Sequence, residues 1–151
     1  MQTDKERAEE DLRNFYAEIG ADQDVIRVLR RFVAGEGMVT QAAISVTFQN
    51  DWEDWRPEYA MFIPGYFLVS DVWSQPDPKT QSFNYLVSYR EFCDKFDVYL
   101  EKYYYPQHPE QRTEITGLME QLRHSLGVDD PDRWVGLEPF IPIDPKATGA
   151  A

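Results

Sequence analysis

Apolar residues recur along this chain at helical spacing, then at alternate positions, then at helical spacing again. That order restricts it to a mixed α+β architecture. Ala8, Leu12, Phe15, Tyr16 and Ile19 fall on one face of a helix over residues 4–19. Gly20 is expected to end it, and Asp22 to cap a second helix. There Val25, Val28, Leu29 and Phe32 form the apolar stripe, with Arg27, Arg30 and Arg31 turned to water or a partner, and Gly35 and Gly37 closing the helix. Over residues 42–49 the period becomes two: Ala42, Ile44, Val46 and Phe48 alternate with Ala43, Ser45, Thr47 and Gln49. This is the pattern of a half-buried strand. Tyr66 to Trp73 and Ser82 to Val87 read as further strands, and the turn sequence SQPDPKTQ between them favours an antiparallel hairpin. Residues 58–63, bounded by Pro57 and Pro64, offer one more strand.

The return to helix is signalled at S-Y-R-E. Ser88 and Glu91 fit a reciprocal capping box, with Val87 and Phe92 as the hydrophobic staple across it. Phe92, Phe96, Tyr99, Leu100 and Tyr103 are expected to make one apolar face; Pro106 stops the helix and Pro109 opens the next. Ile115, Leu118, Met119, Leu122 and Leu126 then form a core face ended by Gly127. Beyond it the chain is proline-spaced but too rich in apolar residues for a free tail, so an extended arm packed on the domain is expected to about Pro145. The expected organisation is one domain, residues 1–145, with a disordered tail at 146–151. It comprises two N-terminal helices, a mostly antiparallel three- to four-stranded sheet, two C-terminal helices and the arm.

Composition narrows the function. The formal net charge of −12 repels phosphate backbones and anionic lipid, so direct nucleic-acid binding and membrane binding are not expected, and a basic protein is the better partner. Residues 38–87 carry 6 acidic against 2 basic groups, a strong local imbalance. Cys93 is the lone cysteine, which rules out an internal disulfide. The charged N-terminal stretch is followed by no apolar run, so no secretory signal is read and a cytoplasmic location is expected.

No catalytic set emerges, and neither a cofactor nor a metal is expected. His108 lies in a turn, and His124 in the last turn of a helix, where positive charge is favoured. The acidic neighbours Glu91 and Asp94 would raise the Cys93 thiol pKa, the wrong direction for a nucleophile. No G-x-S-x-G or Walker loop occurs. Asp51, Glu53 and Asp54 lack the spacing of a dedicated calcium loop. A small metal-dependent hydrolase using them is the alternative reading, and a peptide-binding adaptor using a strand edge is another. What stands out is a mixture of rings and carboxylates: Asp51, Trp52, Glu53, Asp54, Trp55, Glu58 and Tyr59, echoed by Asp71 and Trp73. Such rings supply contact area at low entropic cost, and the acids pair with a partner's Arg or Lys. The competing reading buries Trp52, Trp55 and Trp73 in the core. The run Tyr103–Tyr104–Tyr105 cannot be buried entirely by one helix face. The expected contact surface is therefore Asp51, Trp52, Glu53, Asp54, Trp55, Glu58, Asp71 and Trp73, with Tyr104 from this run.

The stretch NYLVSYREFCDKFDVYLEKYY, followed by QHPEQRTEITGLMEQLRHSL, resembles the C-terminal half of immunity proteins of bacterial contact-dependent growth inhibition systems, most closely those directed against ribonuclease toxins. Val87, Ser88, Tyr89, Glu91 and Phe92 match a V-S-Y-x-E-F element in that family, and His108, Pro109 and Glu110 match its helix-joining turn. The likeness covers about residues 82–126. It implies a cytoplasmic antidote that covers the active site of a cognate toxin's C-terminal domain, a basic nuclease.

Overall fold

The computed structural model describes residues 3–40, 44–48, 63–71 and 83–142. Helix α1 (Asp4–Ala21) begins at Thr3, whose Oγ1 accepts the Glu6 N–H at 3.1 Å, and it buries the expected stripe from Ala8 to Ile19. It runs through Gly20. A Cβ at that position would overlap the Tyr99 hydroxyl, so this glycine permits a close approach between helices and does not stop one. Asp22 consequently closes α1, its N–H donating to the Glu18 carbonyl at 3.1 Å, and Asp24 stands before α2 (Val25–Val33). The arginines of α2 are engaged within the fold: Arg27 with Asp24, Arg30 with Glu114 farther along the chain at 2.6 Å, and Arg31 with the Gly37 carbonyl at 2.8 Å.

Five strands follow, β1 (Met38–Val39), β2 (Ile44–Phe48), β3 (Tyr66–Asp71), β4 (Phe83–Ser88) and β5 (Phe140–Pro142), in the order β1-β2-β3-β4-β5 and antiparallel throughout. The alternation places Ile44, Val46, Phe67, Val69, Tyr85 and Val87 against the helices. The opposite face holds a smaller cluster of Tyr66, Leu68 and Leu86, packed by Ile63, Leu137 and Ile141. β2 is therefore not half-solvated as its pattern suggests: Ser45 and its register partner Ser70 are both buried. β1 escapes notice because two residues carry no readable period. β5 is the paired part of the expected arm, and as a short edge strand that ends in Pro142 and follows Pro139 it offers little to further strands.

α3 (Tyr89–Tyr99) starts with half of the expected box. The Ser88 Oγ accepts the Glu91 N–H at 3.0 Å, but the Ser88 N–H donates to the Pro139 carbonyl at 2.9 Å. The incoming arm thus takes the place of the Glu91 carboxylate, which pairs with Lys95 at 3.3 Å instead. α3 passes into a π-helical turn, Leu100–Tyr104, closed by the Tyr105 N–H donating to the Leu100 carbonyl at 2.8 Å. After a 3₁₀ turn (Pro109–Gln111), α4 (Arg112–Leu126) buries the expected five residues. It ends in a full Schellman motif, with Val128 N–H to the Arg123 carbonyl and Gly127 N–H to the His124 carbonyl around Gly127 at φ +75°. The arm is fixed by the Trp134 indole N–H, which donates to the Leu126 carbonyl at 2.9 Å.

The core joins the helices to the sheet through aromatic rings centred on Phe92. Its ring centroid lies 4.8 Å from Phe67, 5.4 Å from Phe32, 5.6 Å from Tyr16 and 5.8 Å from Phe96. Tyr16 adds a buried hydrogen bond from its hydroxyl to the Phe92 carbonyl at 2.8 Å, and burial holds its phenol well above the usual tyrosine range. Among the described residues no helix is long and apolar enough to cross a membrane.

Candidate functional site

Asp51, Trp52, Glu53, Asp54, Trp55, Glu58 and Trp73 lie outside the described residues, as do residues 58–62 of the further strand and the tail at 146–151. Asp71 is the last residue of β3, in register with Ile44 and Phe83. The chain leaves β2 after Phe48, which faces Phe67, and leaves β3 after Asp71. At about 3.3 Å per residue those exits are roughly 13 Å apart. Phe48 and Asp71, the last described residues of β2 and β3, thus stand at opposite ends of the β2–β3 ladder.

Tyr104 requires a correction. It is 2% exposed, with its hydroxyl donating to Gln111 Oε1 at 2.6 Å and its ring 4.6 Å from His108. The exposed member of the run is Tyr103, at 56%, and Tyr105 is also buried. The cause is the π turn. Buried residues on this helix follow four-residue steps, Phe92, Phe96, Leu100 and Tyr104. Steps of four drift around a helix of 3.6 residues per turn, and one wider turn brings Tyr104 back to the core and swings Tyr103 out.

Tyr103 stands in a cleft between α1 and α3. Phe96, Tyr16, Tyr99 and Tyr103 form a continuous series of rings from core to surface, with successive centroids 4.6, 6.0 and 5.7 Å apart. Two hollows flank Tyr103, and both touch Arg13, Tyr99 and Tyr103. One, of about 410 Å³, is walled on the α1 side by the small residues Ala17, Gly20 and Ala21 and reaches His108. The other, of about 340 Å³, is bordered by Arg13, Lys95 and Lys102 with Glu9 and Val98. The Lys102 ammonium lies 5.3 Å from the centre of the Tyr103 ring. Burial raises the Tyr99 phenol above its ordinary pKa, so it remains an uncharged wall. Arg13, Val98 and Lys102 play no part in the sequence reading. The signal that leads to them is the four-residue step, which exposes the π turn.

The remaining reactive groups are structural in their contacts. Cys93 is fully buried, and burial together with Asp97 and Asp94 pushes its thiol up to about 12 against the opposing pull of Arg123. Burial is the principal cause, not the flanking acids. Arg123 bridges α3 to α4 by pairing with Asp94 at 3.0 Å and with Asp97. His124 Nδ1 lies 2.9 Å from Asp129. Among the described residues no three of His, Cys, Asp and Glu are grouped to hold a metal ion.

No family model matches this chain, and neither a curated protein nor a solved structure matches it significantly.

Proposed function

We propose that this chain is an immunity protein that binds a cognate toxin domain, a nuclease of the ribonuclease type, and covers its active site in the cytoplasm. The observation that carries the reading is the unit from β4 to α4, in which the quoted motifs have defined structural work. Ser88 of the V-S-Y-x-E-F element caps α3, and Pro109 of the His-Pro-Glu element opens the turn into α4. The net charge of −12 agrees with it, because a nuclease that holds RNA presents cations to which an acidic inhibitor is steered. On this reading the acidic-aromatic stretch around Trp52 and Trp55 supplies the toxin contact, with aromatic anchors setting the dissociation rate and acids the association rate.

The experiment is co-expression with the toxin fragment encoded immediately upstream. Growth should be restored and the two chains should purify together. Absence of rescue while the chain is soluble and folded would remove the proposal.

A further inference from the structure

We propose that the α1–α3 cleft docks a short acidic segment of a partner protein that also carries an aromatic side chain. The proposal uses none of the acidic stretch assigned to the toxin and does not depend on that assignment. Although the chain carries a net charge of −12, Arg13, Lys95 and Lys102 all line the smaller hollow. Glu9 is the carboxylate among its described lining residues, and Glu91 is occupied by Lys95 at 3.3 Å. Among the described residues, neither Arg13 nor Lys102 is in an ion pair. Two unpaired cations, Arg13 and Lys102, beside a concave surface with one lining carboxylate leave it complementary to an anionic ligand.

The larger hollow supplies the second half of the specificity. Its low α1 wall and the paired rings of Tyr99 and Tyr103 leave a slot of about 410 Å³, within the range of ligand pockets. A ring inserted there would stack on Tyr103, which is 56% exposed. Val98, 64% exposed, extends the apolar surface toward the cationic hollow. Because both hollows share Tyr103, a carboxylate and a ring placed close together on one peptide reach both at once. Arg13 is expected to take the carboxylate by its planar fork, and Lys102 to add charge over the ring it already covers.

The test is fluorescence anisotropy of the full chain with a labelled six-residue peptide of alternating aspartate and tryptophan. Controls replace aspartate by asparagine, or tryptophan by alanine. The proposal expects the acidic aromatic peptide to bind at least about tenfold more tightly than either control, with affinity falling as salt rises. Arg13→Glu combined with Lys102→Glu should abolish binding. Ala17→Phe, an exposed position whose new ring fills the slot, should do so with the cations intact. Arg13→Gln with Lys102→Gln provides the same reading should the charge reversal disturb folding. Equal binding of the asparagine peptide, or undiminished binding by these variants with native circular dichroism, would overturn the proposal. So would concentration-dependent dimerisation in sedimentation that Ala17→Phe removes, since a second copy of the chain would then be the occupant.

Discussion

Replacing Phe92 by alanine should cost more than any other single truncation in this core, because four separate elements meet on that ring. α1 contributes Phe15 and Tyr16, α2 contributes Phe32, β3 contributes Phe67, and Phe96 lies one turn along α3. Truncating a buried phenylalanine typically costs about 3–5 kcal/mol, and the cost is highest where the surroundings cannot collapse. Here the cavity wall consists largely of rigid rings anchored on different elements. The ring pairs that are lost are worth roughly 0.5–1.5 kcal/mol each beyond their buried area. The upper part of the range is therefore expected, about 4–5 kcal/mol. The Tyr16 hydroxyl bond survives the change because it is made to the Phe92 backbone carbonyl. Urea unfolding followed by tryptophan fluorescence should show the midpoint falling by about 2 M at an unchanged slope of roughly 2 kcal/mol/M. The thermal midpoint should drop by about 10 °C or more. Phe92→Leu, which keeps most of the volume, should lose less than half as much. A loss under about 1.5 kcal/mol for Phe92→Ala, with the slope unchanged, would refute the view that helices and sheet share one core through this residue.

Gly127→Ala should destabilise by about 1–2 kcal/mol in the same assay, since its φ of +75° disfavours an L side chain and its Cβ would press on the Arg133 side chain. A neutral result would mean that the Schellman turn relaxes at no cost. Cys93, with its thiol pushed up to about 12, should react with a thiol reagent at pH 8 about a thousandfold more slowly than a free cysteine, and become reactive only as the chain unfolds. Rapid labelling of the folded protein would contradict its burial. Trp134→Phe removes the donor to the Leu126 carbonyl and should cost roughly 1 kcal/mol while raising hydrogen exchange along β5. Unchanged exchange there would show that the arm is held by Leu137 and Ile141 without this hydrogen bond.

The parts of the fold that could be read from the chain are those where local pattern and tertiary environment agree. The buried face of α4 matches its helical stripe residue for residue, α1 buries all of its stripe with Asp11 added, and Gly127 stops α4 as its position demands. The β3–β4 hairpin is antiparallel as its turn sequence implies. Reading failed where a distant segment decided the outcome. The Ser88 N–H is taken by Pro139, fifty-one residues later in the chain, so half of the capping box has no role. Ser45 is buried although the far face of the sheet holds only a small apolar cluster, and no period in β2 announces it. Gly20 is small because Tyr99 passes over it, so the residue whose local pattern predicts a helix end is a packing glycine. At the candidate site the error concerns one residue of register. A helix assumed regular points Tyr103 inward, and the π turn reverses it with Tyr104. The acidic-aromatic stretch itself falls outside the described residues, apart from the backbone of Asp71 at the end of β3.

The central claim, that this chain silences a toxin by covering it, is tested most directly by titrating the purified chain into an RNA-cleavage assay of the toxin domain that the proposal places in the gene immediately upstream. The account predicts that cleavage falls to zero at one molar equivalent, and that inhibition is established more slowly as salt rises, because charge guides the encounter. Undiminished cleavage at a clear molar excess of the folded chain would contradict it.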